Sequence, residues 1–207
     1  MTQKQKALRG IVTPEMREVA RYEGVEAEYV RDSVAHGTIA IPRNIRRSFP
    51  YVRGIGKGLR TKINANIGSS PYHMSAEDEM EKLRAAVAYG ADAVMDLSLG
   101  SKLIDIRRQI IAESPVMVGT VPIYQTAFEL SSSRRDITDM TIDDFLRTVQ
   151  SQAEEGVDFM TIHSGVTLQA LQSLGSQRRI LDIVRGRIVS RGMDEKERQT
   201  VASVRAL

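Results

Sequence analysis

The segment Thr61–Gly68, TKINANIG, alternates apolar and polar residues at period two. Its two carboxamides, Asn64 and Asn66, therefore fall on one face of a strand. Asparagine is a poor strand former, so a pair of them suits hydrogen bonding better than core packing. Other short apolar runs also end in polar or ligand-accommodating residues: Met95, Asp96 and Ser98; Thr120, Pro122 and Tyr124; Thr161 and His163; Ser190, Arg191 and Gly192. Taken singly, each has a structural explanation: a lone histidine is commonly a partly buried structural residue, and a lone methionine is commonly core. Recurrence at the ends of successive strands points to a ligand pocket, because parallel α/β proteins bind ligands at the C-terminal edge of the sheet.

The elements that would position these residues follow one repeated pattern. Ser75-Ala76-Glu77-Asp78 resembles a capping box, Met80, Leu83, Ala86 and Val87 recur at helical spacing, and Gly90 stops the helix. The apolar run Ala91–Ser98 then reads as a buried strand. The same order returns with Thr141-Ile142-Asp143-Asp144, then Phe145, Val149 and Ala153, then Gly156, and a strand from Val157 to His163. A helix, then Gly-Ala/Val-Asp, then a strand is thus used twice. Leu103–Ala112 and Val166–Leu174 read as helices, Ile180–Val184 as a further helical turn, and Val116–Pro122 as a strand. Strands are predicted near residues 62, 93, 116, 158 and 187 with helices in the gaps, which implies a parallel sheet with right-handed crossovers. The first 50 residues show weaker periodicity and read as a small N-terminal segment.

Composition is that of a globular protein: 207 residues, 42% hydrophobic and 27% charged. There is no cysteine, so no disulfide, zinc–thiolate or iron–sulfur site can be built from this sequence alone. The N-terminus lacks the apolar core of a signal peptide, and no apolar run is long enough for a membrane span. A cytoplasmic location without a membrane partner is expected. Net charge is only +3, yet Arg43, Arg46, Arg47, Arg53, Lys57, Arg60 and Lys62 occur with no acid among them. Such a cluster fits a solvated face, a phosphate-bearing small molecule or nucleic acid. Only Phe49, Tyr51 and Tyr72 lie near it, too few for base stacking, so a phosphate is the better functional expectation and nucleic acid is not expected. The GIGKG string at 54–58 lacks the Lys-Ser/Thr of a P-loop and precedes its strand.

The strings KINANIG, GADAVMDLSLG, SPVMVGTVPIYQ, EEGVDFMTIHSGVT and IVSRG, preceded by GIVTPEM and GIGKGLRTK, resemble consecutive motifs of the phosphomethylpyrimidine synthase family of thiamine biosynthesis, over residues 8 to 192. A sister family, 5-hydroxybenzimidazole synthase, shares most of them. The resemblance implies a (β/α)8 barrel of TIM type, of which about the first five βα units are present, behind a segment 1–55; the barrel part would span 56–192. It also implies a radical S-adenosylmethionine lyase with a 4Fe-4S cluster and zinc, acting on aminoimidazole ribonucleotide as a homo-oligomer. Asn66, Met95, Tyr124, His163 and the trio Ser190, Arg191 and Gly192 match the family's substrate-binding positions. By that resemblance Arg191 would clamp the phosphate, Tyr124 and His163 would bond ribose or base, and Met95 would form an adaptable apolar wall. Asn64 would buttress Asn66 or serve structure alone. The family's later strands, its Asp-Gly-Leu-Arg motif, its metal-binding histidines and its cysteine motif have no counterpart here, and 193–207 forms a divergent polar tail. No metal ligand and no catalytic residue is assigned within the chain, which is expected to be catalytically incomplete and, with open sheet edges, prone to associate. The alternatives are 5-hydroxybenzimidazole synthase, acting on the same substrate in cobamide lower-ligand biosynthesis, and a non-catalytic ligand-binding fragment.

Overall fold

A computed structural model describes residues 1–70 and 72–163 of the chain. The strand expected near 187 and the residues Ser190, Arg191 and Gly192 lie outside the described residues. The chain divides into two compact units, Met1–Val121 with Ser151–Met160, and Pro122–Gln150 with the chain from Thr161.

The N-terminal stretch, whose weaker periodicity gave no element assignment, forms three helices: α1 (Gln3–Leu8), α2 (Pro14–Glu23) and α3 (Ala27–His36). Thr2 and Thr13 cap the first two, and Pro14 opens α2 where its missing N–H costs nothing. Gly24 and Gly37 end α2 and α3 in the left-handed conformation that glycine tolerates best. Two short strands, β1 (Ile39–Ala40) and β2 (Ile55–Gly56), then pair antiparallel, which gives the GIGKG stretch a structural place. Met16, Val19, Ala20, Val30, Val34, Ile39, Phe49 and Val52 form a core that also takes in Ala93 and Met117 from the main sheet.

That sheet is four-stranded and parallel, in the order β3 (Asn64–Ile67), β4 (Ala93–Asp96), β5 (Met117–Thr120) and β6 (Phe159–Met160). The α/β class with a parallel sheet is as expected. Helix α4 (Ala76–Ala88) joins β3 to β4, and α5 (Leu103–Glu113) joins β4 to β5. Ser75 caps α4 through the Asp78 N–H at 3.2 Å. Period-two alternation divides the sheet. Ile67, Val94 and Val118 pack with Met80, Leu83, Ile106 and Ile110 of α4 and α5, whereas Ala93 and Met117 pack with the N-terminal helices.

The repeated Gly-Ala/Val-Asp phrase has one structural meaning in both places. Asp92, just before β4, accepts the Ile63 N–H (3.0 Å), the Tyr22 hydroxyl (3.1 Å) and Arg53 Nε (3.0 Å). Asp158, just before β6, accepts the Val118 N–H (2.8 Å), the Asn44 N–H (2.7 Å) and Arg47. Each carboxylate thus ties the neighbouring strand to an arginine of the N-terminal stretch. Arg43 pairs with Glu15 at 2.7 Å, and Lys62 and Arg60 meet Glu23 at 2.6 and 3.5 Å. Burial works against ionisation of Glu23, but the Lys62 ammonium and the Arg60 N–H outweigh it and hold its carboxyl below the usual range. The phosphate partner expected of the basic cluster as a whole is therefore withdrawn, because most of those cations already face acids of the same chain.

In the second unit, α6 (Pro122–Ser132), a 3-10 turn (Ile137–Asp139) and the first part of α7 (Ile142–Glu155) enclose Leu130, Met140 and Phe145. Thr141 and Asp144 form the expected reciprocal cap, at 3.2 and 3.0 Å. The Arg135 guanidinium beside Asp144 holds that carboxyl well below the usual range.

Candidate functional site

The site is built on the sheet face turned away from α4 and α5. Register places Asn66 beside Met95, Met95 beside Gly119, and Gly119 beside Phe159. Side chains in register on a parallel sheet project to one face, so these four form a row across all four strands. Asn64 and Asn66 are both exposed, and Met95 is buried. The two amides thus share one accessible face, as the alternation at 61–68 predicted. A Cβ on Gly119 would collide with the Phe159 ring, so glycine here is what lets an aromatic ring lie over β5 next to Met95.

The next row, Ile67, Asp96, Thr120 and Met160, faces the other way. Asp96 and Thr120, expected at the ligand edge, are instead buried in the layer between sheet and helices, because a one-residue step along a strand reverses the face. Asp96 Oδ1 accepts the Ser98 N–H at 2.9 Å, and Thr120 Oγ1 donates to Gln152 Oε1 at 2.6 Å. Burial pushes the Asp96 carboxyl upward, against hydrogen bonding from Ser98 and the charge of Arg107; Glu79 adds to the upward push. Arg107 is itself buried and pairs with Glu155 at 2.9 Å.

Tyr124 and His163 belong to the second unit. Tyr124, expected at the end of the third strand, sits half-buried in the first turn of α6. The strand stops at Thr120, and the fixed φ of Pro122 starts a helix in place of an extended end. His163 is exposed and follows a strand that ends at Met160, shorter than the 157–163 expected.

A model of the radical SAM ThiC family matches residues 2–201. The chain belongs to that family. It is 53% identical over 184 residues to a phosphomethylpyrimidine synthase of Desulforudis audaxviator, covering 89% of this chain and 43% of that protein. Counterparts from a Thermoanaerobacter species and from Thermodesulfovibrio yellowstonii are 49% and 48% identical over the same length and shares. The chain therefore spans less than half the length of the curated relatives it matches.

Family membership implies S-adenosylmethionine and an iron–sulfur cluster, and the donor set can be tested against that. The sequence holds no cysteine, so these 207 residues do not fit the thiolate ligation of such a cluster. Among the described residues, no group of three or more His, Asp or Glu is arranged to hold a metal ion. No helix among them is long and apolar enough to cross a membrane. Sequence reasoning missed Gly119 and Phe159 in the row, and Glu79, which reaches Gly68 at the end of β3 from the α4 side. For Glu79 a signal existed: it lies four residues before Leu83, so a carboxylate stands on the apolar face of α4.

Proposed function

We propose that this chain supplies the aminoimidazole-ribonucleotide-binding part of a phosphomethylpyrimidine synthase, a radical S-adenosylmethionine lyase of thiamine biosynthesis. The observation that supports this most is the register of Asn66 with Met95, within a chain of the radical SAM ThiC family. An amide that can both donate and accept, beside an apolar polarizable wall, suits a polar heterocycle on a ribose. The family resemblance adds Tyr124, His163, Ser190, Arg191 and Gly192 to the substrate contacts, with Arg191 as phosphate clamp. The relatives' shared name favours the pyrimidine product over the benzimidazole one. We assign residues 56–192 to the barrel part, behind 1–55 and before 193–207. Among the described residues β3 and β6 each pair on one side only, which supports self-association through sheet edges.

Calorimetric titration of the 207-residue chain with aminoimidazole ribonucleotide tests the assignment. Asn66→Ala, His163→Ala and Arg191→Ala should each weaken binding by roughly 1–3 kcal/mol, the usual cost of stranding polar partners. Unchanged affinity in all three variants would refute it. With no cysteine, the chain alone should bind without turnover. Anaerobic reconstitution with iron and sulfide should yield neither cluster absorbance nor 5′-deoxyadenosine, and either signal would overturn this part of the reading.

A further inference from the structure

Immediately after the asparagine-bearing strand, the chain turns sharply at Gly68. Its φ is +139, and a Cβ there would lie 2.6 Å from both Leu97 C and Ser98 N. No other residue type fits without moving the β4 end. The N–H of Gly68 is accepted by Glu79 Oε2 at 2.7 Å. Glu79 is fully buried on α4, and its other oxygen pairs with Lys82, whose Nζ also reaches the Gly68 carbonyl at 3.5 Å. One helix thus grips both polar groups of the turn residue.

The grip extends to the neighbouring strand end. Leu97 N–H donates to Ile67 O at 2.9 Å, Ser69 N–H to Ser98 Oγ at 3.2 Å, and Leu99 N–H to Ser69 O at 2.9 Å. Asp96 fixes Ser98 in turn through its N–H at 2.9 Å. Asn66 is exposed, so side-chain packing does little to hold its amide, which goes where the backbone of β3 puts it. We infer that Glu79 is a positioning residue for Asn66: by accepting the Gly68 N–H it fixes where β3 ends and locks that end to the Met95-bearing strand. The inference rests on the substrate-binding reading of Asn66 given above.

Two variants and two measurements separate the possibilities. Glu79→Gln keeps an oxygen acceptor for Gly68, whereas Glu79→Asp keeps the buried charge but withdraws the acceptor by one methylene. Amide hydrogen exchange in the 207-residue chain reads the grip itself, and titration with aminoimidazole ribonucleotide reads its consequence. Glu79→Asp should speed exchange at Gly68 and Ser69 at least tenfold, leave the α5 and β5 amides protected, and weaken ligand binding at least tenfold. Glu79→Gln should stay within threefold of wild type in both. Unchanged exchange in Glu79→Asp would overturn the grip. Faster exchange with unchanged affinity would overturn the positioning role, as would loss of binding in Glu79→Gln with normal exchange. If wild type bound no ribonucleotide, the substrate reading would fall and the positioning role with it, while the exchange arm would still decide whether Glu79 holds the turn.

Discussion

Removing the Asp158 carboxylate should be among the most damaging single changes in this chain. The Asp158 side chain has no solvent exposure, and Arg47 keeps only 7%. Asp158→Ala would leave the Asn44 and Val118 N–H groups without their acceptor and Arg47 without its counter-charge. Arg47 would keep its bond to the Ser114 carbonyl at 2.8 Å and its place over the Phe49 ring at 4.8 Å, which soften the loss without neutralising the charge. Breaking a buried ion pair from one side costs about 3–5 kcal/mol, and a stranded buried N–H about 1–3 kcal/mol, though water entering the new space recovers part of the latter. We expect about 4 kcal/mol in all, which for a chain of this size lowers Tm by roughly 10 °C. Arg47→Met alone leaves Asp158 two backbone donors and should cost about 2–3 kcal/mol. Guanidinium denaturation of both single variants and the double variant gives the coupling, expected at about 2 kcal/mol because the second change removes a charge already stranded. A loss under about 1 kcal/mol for Asp158→Ala, or full additivity in the double variant, would refute the reasoning.

Two further perturbations test other parts of the fold. Because burial raises the Asp96 carboxyl pKa, its contribution to folding is fully present below the unfolded value near ~4 and is lost as pH rises through the folded one. Relative to wild type, Asp96→Asn should therefore gain stability between acid and neutral pH; urea midpoints at pH 4 and 7 that shift in parallel would contradict this. Gly119→Ala should cost about 1–3 kcal/mol by driving a methyl into the Phe159 ring, and Phe159→Leu in the same chain should recover part of it; a melt unchanged by Gly119→Ala would show that the ring moves freely.

Helices α4, α5 and α7 and the strands between them were legible because each helix runs at least 11 residues, enough turns for an apolar stripe to repeat, and α4 and α7 begin at side-chain caps. The N-terminal helices run only 6 to 10 residues, too few turns for an apolar stripe to repeat. Helix α6 was hidden by its position, since Val121-Pro122 continues an apolar strand while the proline itself starts the helix. Of the candidate site, the paired amides were readable from alternation. The placing of Asp96 and Thr120 was not, because short apolar runs do not reveal which alternate residue faces the helices.

The basic cluster shows a different limit. Seven cations within 20 residues look like a surface awaiting a polyanion, yet Arg53 reaches an acid 39 residues away and Arg47 one 111 away. Both acids occupy the same slot, the Asp of the Gly-Ala/Val-Asp turn that starts a strand. The repeated phrase was visible in the sequence; the arginines that answer it were not, since no local pattern links residues so far apart. The consequence is a division of labour along strands that rise roughly 3.3 Å per residue. At their N-terminal ends, buried carboxylates take backbone N–H groups and arginines and fix the sheet to the N-terminal stretch, mainly to the segment after α3. At the C-terminal end of β3, Asn66 makes no demand on the core and stays exposed. Ionic anchoring at the strand starts holds the sheet without help from Asn66, so a strand-disfavouring amide is tolerated near the end of β3, where it suits the ligand contact proposed for it.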